Sequence, residues 1–435
     1  MNTPIYSQLV RHQDRDYSPF HTPGHKNTGF FPENLLQLDF TELPDTDALY
    51  EADGIILKTE KNLAELFSVR RSLISSGGCT LAIQTMLRLA MHNGRKILFA
   101  RNIHRSAVNA CALLGITPKW ILPKSESGLF TGRIVPEEVE QAFLEDKELS
   151  ALYVTSPDYY GEITDIKSLS EICRKYNKLL LVDNAHGSHL AFLKKNLHPI
   201  HLGADMSACS LHKTMPVLTG GAVLNIGHTA LEENAKNAMS LFGSTSPSYP
   251  IMASIDLCCD YMQNGGIAAY HQLEERISPI KSLANRQGLL QPDGLCDNTR
   301  ICINTPGIDN QTAFFHKHLI EPEFCDGQNA VFICTPFNTE KDFQRLEKAI
   351  SELHGNHSVI SETTVTLPQT ALAPREVLLA QTETVSVKNA VGRISADSAC
   401  PCPPGVPVVM PGEIIDKNVL QQLEKYHFTA VRVVK

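Results

Sequence analysis

Between about residue 68 and residue 226 the chain alternates short apolar runs with longer stretches of helical spacing. Lys96-Ile-Leu-Phe-Ala100, Lys119-Trp-Ile-Leu122, Ala151-Leu-Tyr-Val-Thr155, Lys178-Leu-Leu-Leu-Val-Asp183, Met206-Ser-Ala-Cys-Ser210 and Gly221-Ala-Val-Leu-Asn-Ile226 are mostly apolar, which predicts strands covered on both faces. Leu81–His92, Ser106–Leu114, Glu137–Leu144 and Ile166–Tyr176 read as the helices between them, with Gly115 a C-cap and Pro136 a start signal. Strands separated by helices of that length make βαβ units, so the expected class is α/β with a mostly parallel sheet.

After residue 226 the pattern changes. Ser248–Met262 and Ala268–Ala284 read as helices interrupted at Gly265-Gly266, and Gln291-Pro-Asp-Gly294 as a turn. Arg300-Ile-Cys-Ile303 and Ala330-Val-Phe-Ile-Cys334 read as strands, and Glu340–Leu353 as a charged helix. The expected division is an N-terminal segment 1–50, a large domain 51–290, a small α+β domain 291–365 and a C-terminal domain 366–435. No repeat or low-complexity tract interrupts it.

Composition narrows the function classes. Of 435 residues 43% are hydrophobic and 20% charged, enough for a large core and against a disordered chain. Lys and Arg number 39 against 47 Asp and Glu, a net charge of -8 that argues against a nucleic-acid partner. Thr214–Leu231 lacks Asp, Glu, Lys and Arg but holds Pro216, Gly220, Gly221 and Asn225, so it reads as buried core rather than a membrane span. The first residues lack a signal peptide's apolar run, and a soluble, cytoplasmic protein is expected. The 12 cysteines include the neighbours Cys258/Cys259 and Cys400/Cys402 but no CxxC pair, which favours free buried thiols.

Three features fall where ligands of open α/β sheets sit, at the carboxyl ends of strands. Ser75-Ser-Gly-Gly-Cys-Thr80 runs into a helix, whose N–H groups and dipole suit an anion. Asp183 closes an apolar strand, where a carboxylate needs a positive partner. Lys213, in Ser210-Leu-His-Lys213, follows another apolar strand, and burial there would lower its amine pKa. Each alone is as well read as a turn, a loop hydrogen bond or a solvated lysine. Together they are the parts that pyridoxal 5′-phosphate requires: lysine for the Schiff base, carboxylate for the pyridine nitrogen, cradle for the phosphate. Zinc competes, because His186 and His189, and His198 and His201, stand three apart, but no HExxH or Cys/His set supports it.

The motifs Asp183-Asn-Ala-His-Gly-Ser-His189 and Ser210-Leu-His-Lys213 resemble those of the Orn/Lys/Arg decarboxylases of fold type I. His21-Thr-Pro-Gly-His-Lys26, Leu43-Pro-Asp-Thr-Asp47, Ser244-Thr-Ser-Pro-Ser248 and Pro403-Pro-Gly-Val-Pro-Val-Val-Met-Pro-Gly-Glu413 are similar to further family motifs, in order, from about residue 5 to 435. The resemblance implies Lys213 as the Schiff-base lysine, Asp183 as partner of the pyridine nitrogen and His104 as the histidine stacked on the ring. It implies Gly78, Cys79 and Thr80 as the phosphate loop, His186 beneath the cofactor, and Ser210 and His212 beside it. Ser244 and Ser246 match the segment that reaches the neighbouring subunit's phosphate, which implies a homodimer. Three departures stand out. Gly78 and Cys79 replace the family's hydroxyls, Cys402 replaces the tyrosine of Tyr-Pro-Pro-Gly, and no wing domain precedes His21, so large rings are not expected.

The implied reaction is decarboxylation of arginine, lysine or ornithine, in that order of preference, to agmatine or a diamine of polyamine metabolism. Lys213 or His212 would return the proton to the α-carbon. Glu413 and Asp47 are the candidate carboxylates for the substrate's distal cation. Two alternatives stay open: an aminotransferase or other lyase, with Arg300 the evident carboxylate-binding arginine, and a non-catalytic cofactor-binding homologue.

Overall fold

The computed structural model describes residues 4–124, 132–227, 231–289, 294–305, 307–355, 367–399 and 407–435. Cys400, Cys402, the Pro-Pro-Gly run after them and Gln291-Pro-Asp of the expected turn lie outside the described residues.

Seven strands form the central sheet, in spatial order Arg71–Ser75, Ala222–Ile226, Met206–Cys209, Leu179–Asp183, Leu149–Thr155, Lys96–Ala100 and Thr117–Ile121. The last five are mutually parallel, and Ala222–Ile226 runs antiparallel to both its neighbours. Apolar periodicity marks burial and says nothing of direction, so this reversal was not readable from the pattern. Thr117–Ile121 contains Pro118 and lies at the edge, where a missing N–H breaks no ladder.

Helices cover both faces. Gly78–Ala90, Arg105–Leu114, Pro136–Glu145 and Ile166–Lys175 pack on one side, around Met86, Phe99, Val108, Phe143, Leu152 and Leu169. Ile55–Phe67, Tyr249–Tyr261 and Ile267–Arg286 cover the other, around Leu63, Ile74, Val223, Ile255 and Ile277. Local chemistry fixes their ends. Gly115 stops its helix in the left-handed conformation (φ 70°), and the Asp165 side chain accepts from the Ser168 N–H. At Gly265-Gly266 the two long helices meet through a turn in which Asn264 and Gly265 leave helical geometry.

Beyond the sheet, Phe324–Cys325, Asn329–Ile333 and Arg300–Asn304 form a three-stranded antiparallel sheet, packed on Glu340–Ser351 with its Thr339/Asp342 capping box. The N-terminal segment joins this unit: Ser18–Phe20 pairs in parallel with Ile320–Pro322. At the other end Thr382–Ser386 pairs with Ala430–Val434 beside the helix Lys417–Lys425, around a separate cluster of Val387, Val409, Ile415, Leu423 and Val433. Among the described residues no helix is long and apolar enough to cross a membrane.

Candidate active site

Five strands of the sheet lead into one cavity of about 250 Å³, Leu149–Thr155 among them through Thr155. Leu179–Asp183 ends on Asp183. Met206–Cys209 passes into Ser210 and the short helix Leu211–Thr214, which carries His212 and Lys213. Lys96–Ala100 leads to His104, which caps the next helix by accepting from the Ser106 N–H, and Arg71–Ser75 leads to Gly78, Cys79 and Thr80. All nine of these expected residues line the cavity: Gly78, Cys79, Thr80, His104, Asp183, His186, Ser210, His212 and Lys213. Asn102, Thr155, Asp158 and Tyr159 line it too and were not foreseen, since none carries a motif signal.

Burial pulls the Lys213 amine below the usual lysine range, against the opposing charges of the Glu323 and Asp183 carboxylates. The same burial pushes the Asp183 carboxyl up, while Lys213, the Ala185 N–H and the Tyr153 hydroxyl (3.2 Å) draw it back. Lys213 Nζ is 2.8 Å from His186 Nε2 and lies over the Tyr159 ring, which itself packs on His186 at 4.4 Å. On the other side of the ring, His186 Nδ1 faces Arg300 Nη2 at 3.5 Å, and the same guanidinium nitrogen donates to His186 O at 3.3 Å. Burial, with Lys213 and Arg300 nearby, keeps His186 uncharged well below the usual histidine range. Burial also takes His104 down to about 4 and lowers His212, whose Nδ1–H is committed to the Gly221 carbonyl at 3.0 Å.

The opposite wall suits an anion. The helix Gly78–Ala90 has no side-chain N-cap, so its first N–H groups are open at the cavity, next to Thr80. Gly78 has φ +69°, a conformation costly for any residue with a Cβ, and its own N–H donates to Gly220 O at 2.8 Å. Cys79 is buried, and burial drives its thiol well above the normal range, so it offers the anion no charge. Asn102 Oδ1, Thr155 Oγ1 and Asp158 Oδ2 are buried without a hydrogen-bond partner around the same cavity. A lysine amine, a strand-end carboxylate, an uncapped helix and three orphaned polar atoms fit pyridoxal phosphate.

The structure corrects other expectations. Glu413 is 1% exposed, and both its oxygens are taken by Arg101, at 2.5 and 2.7 Å, with the Met410 N–H on one of them. It locks the C-terminal region onto the sheet and is not available to a substrate cation. Asp47 receives the backbone N–H groups of Ala48, Asp53, Gly54 and Ile56, so it organises the start of the helix Ile55–Phe67 instead. Arg300 is spent on the carbonyls of Asp158, Tyr159 and His186, which removes the evident carboxylate-binding arginine of an aminotransferase. His186 and His189 diverge, the latter meeting Asp297 and Thr299, and His198 turns to Cys209. Ser244 and Ser246 are exposed and away from this chain's own cavity. The unforeseen acid is Glu323, whose charge acts on Lys213, His212, His21 and Lys26. Nothing in the sequence links it to Lys213, because only the tertiary fold brings the small sheet there.

Comparison with known proteins agrees with this geometry. The Orn/Lys/Arg decarboxylase major domain matches residues 3–289, and the C-terminal domain of the same family matches residues 356–430. The arginine decarboxylases of Halalkalibacterium halodurans and Bacillus subtilis are each 30% identical to this chain, over 97% of it and 93% of their own length. The structure of the Escherichia coli constitutive lysine decarboxylase superposes with a TM-score of 0.77 at 20% identity, over 100% of this chain and 82% of that one, a likeness of fold. The chain therefore belongs to the Orn/Lys/Arg decarboxylase family, and is a pyridoxal phosphate-dependent amino-acid decarboxylase of fold type I.

Proposed function

We propose that the chain removes the α-carboxylate of a basic amino acid, with arginine ahead of lysine and ornithine, releasing CO2 and agmatine or a diamine. The observation that carries this is the buried Lys213 amine, held 2.8 Å from His186 Nε2 and drawn below the usual lysine range by burial, in the cavity that Asp183 also lines. Arginine leads because the 30% identical relatives are named arginine decarboxylases, whereas a lysine decarboxylase of Escherichia coli is 21% identical.

When bound, pyridoxal phosphate supplies an electron sink for the charge left on the α-carbon. Lys213, its amine drawn below the usual lysine range by burial, would be the residue that holds the cofactor's aldehyde and gives it up to the substrate's amine. Asp183 keeps a proton on the ring nitrogen, an electrostatic task that its low-dielectric surroundings strengthen. His104 would pack against the cofactor ring, and the uncapped N–H groups beyond Gly78, with Thr80, would hold the phosphate. Lys213 Nζ, on taking up the proton of the incoming substrate ammonium, would be the group that returns a proton to the α-carbon; His212 is the less suited donor, because burial lowers its proton affinity and its Nδ1–H is held by Gly221. Glu323 would receive the distal cation through Oε1, its Oε2 being held by the Thr22 N–H, the part expected from the sequence of Glu413 and Asp47.

We place the working unit as a homodimer. Ser244 and Ser246 are exposed, and their segment packs beside Asp47–Leu49 through Tyr249 and Lys236. Leu36, Phe40, Leu43, Ile55 and Leu241 are also exposed, apolar side chains that a second copy would cover. A cytoplasmic setting fits the ten described cysteines, all free and eight of them buried.

The test is CO2 release from arginine, lysine and ornithine with added cofactor, beside borohydride reduction and peptide mapping. Release from one or more substrates, a reduced adduct on Lys213 and a loss of roughly 1000-fold or more in Lys213→Ala are expected. An adduct on Lys213 without CO2 from any of the three would overturn the decarboxylase reading.

A further inference from the structure

The segment His21-Thr-Pro-Gly-His-Lys26 lines no part of the cavity, yet every turn of it is tied down. At one end it holds the lysine-bearing turn. The Gly24 N–H donates to His212 O at 2.7 Å, and a Cβ on Gly24 would stand 2.6 Å from Met215 O and 2.7 Å from Thr214 C. Those are backbone atoms, so nothing but glycine lets the two chains approach this closely. Tyr270 secures the same turn from behind, donating to Thr214 O at 2.6 Å.

At its other end the segment holds the small domain. The Thr22 N–H donates to Glu323 Oε2 at 2.9 Å, and Gly24 O accepts from Thr335 Oγ1 at 2.7 Å. Lys26 is 5% exposed, and its ammonium bridges His21 O at 2.5 Å and Ile333 O at 3.0 Å. Just upstream, Ser18–Phe20 sets the register of Ile320–Pro322, the strand that ends one residue before Glu323. Residues 18–26 thus lie between Lys213 and Glu323 and are bonded to the backbone that carries each.

We propose that His21–Lys26 is a spacer that fixes the separation of Lys213 from Glu323, and through it the length of amino acid accepted. This rests on the reading that Lys213 and Glu323 face the two ends of the substrate. The basic amino acids differ chiefly in the distance from α-amine to distal cation. A site held at one length by paired backbone hydrogen bonds discriminates among them, and one methylene is worth roughly 10- to 200-fold in a rigid pocket. The residues concerned are positioning residues, since they touch neither substrate nor cofactor.

Two variants separate the two ends of the spacer. Gly24→Ala forces a displacement against the 214–215 backbone. It is expected to move the pH midpoint of the visible absorbance of Lys213-bound cofactor by about 0.5 unit or more, and to change the arginine-to-lysine ratio of kcat/KM by about tenfold. Thr335→Val cuts the small-domain tie to Gly24 O, along with the acceptor of the Phe337 N–H, and leaves the lysine turn's own contacts in place. It is expected to leave the absorbance midpoint in place while raising KM and changing that ratio. If both variants keep the wild-type midpoint and ratio and lose only thermal stability, the segment is structural and the spacer is overturned. Should Gly24→Ala not fold, an unchanged ratio in Thr335→Val overturns it alone. Absence of CO2 release by the wild-type protein would defeat the decarboxylase reading by itself. The spacer is then judged by the absorbance midpoint of Gly24→Ala and by the spectral binding order of the three amino acids, and wild-type values of both overturn it.

Discussion

Asp183 and Glu413 are both acids buried near the carboxyl ends of parallel strands, in two regions that the chain finishes in opposite ways. At the seam between the sheet and the C-terminal region, Glu413 meets the Arg101 guanidinium with both oxygens and takes the Met410 N–H as well; Arg101 also stacks on Trp120 at 5.2 Å. That carboxylate is saturated. In the cavity Asp183 receives only neutral donors, Tyr153 and Ala185, and its nearest cationic influence, Lys213, is itself drawn towards neutrality by burial. A buried acid with all its charge matched holds a structure together, whereas one left short of a cation is prepared for a ligand that brings one.

The comparison breaks first in activity. Asp183→Asn keeps the shape and removes the charge. It is expected to lower kcat by roughly 10²- to 10³-fold, with a melting temperature for the cofactor-free protein no lower than wild type, because an unmatched buried charge has gone. A large drop in melting temperature with retained activity would reverse the roles assigned to the two acids. Glu413→Gln should do the converse. It strands a buried guanidinium and is expected to cost about 3 kcal/mol in denaturant melts, with a smaller loss of kcat.

The smallest effect concerns acid. Burial holds His104 at about 4 and His198 at about 3, below the ordinary 6.5. Between pH 6.5 and 4 the unfolded chain therefore binds protons that the folded chain refuses, and stability falls as pH drops through that window. Each such histidine contributes a slope of up to about 1.4 kcal/mol per pH unit. Melts at pH 6.5, 5 and 4 measure the slope, and His198→Gln should flatten it without altering the cofactor spectrum.

Much of the cavity was legible because its parts are local. Asp183 ends a five-residue apolar strand, Lys213 follows another by four residues, and the strand Lys96–Ala100 coincides with its apolar run. What the sequence hid is what only packing decides. Arg101, the partner of Glu413, comes from elsewhere in the fold, and Asp47 is claimed by four backbone N–H groups of the turn and helix start that follow it, so their place in a motif suggested chemistry that was already committed. Arg300 was visible as an arginine in the right domain, but its commitment to the Asp158–Tyr159 carbonyls was not. Glu323 carried no local signal, for its relation to Lys213 is made by the pairing of Ser18–Phe20 with Ile320–Pro322.

Gly220 and Gly221 bring these threads to one place. Gly220 O accepts the Gly78 N–H, while Gly221 O accepts both the backbone N–H and the ring N–H of His212. The cradle loop and the lysine turn are thereby stitched to the same two carbonyls. Neither can drift in descent without dragging the other, so this half of the pocket is inherited as a block. What such a protein consumes is then set from outside that block, through the strap of chain that ties the small sheet to the lysine turn.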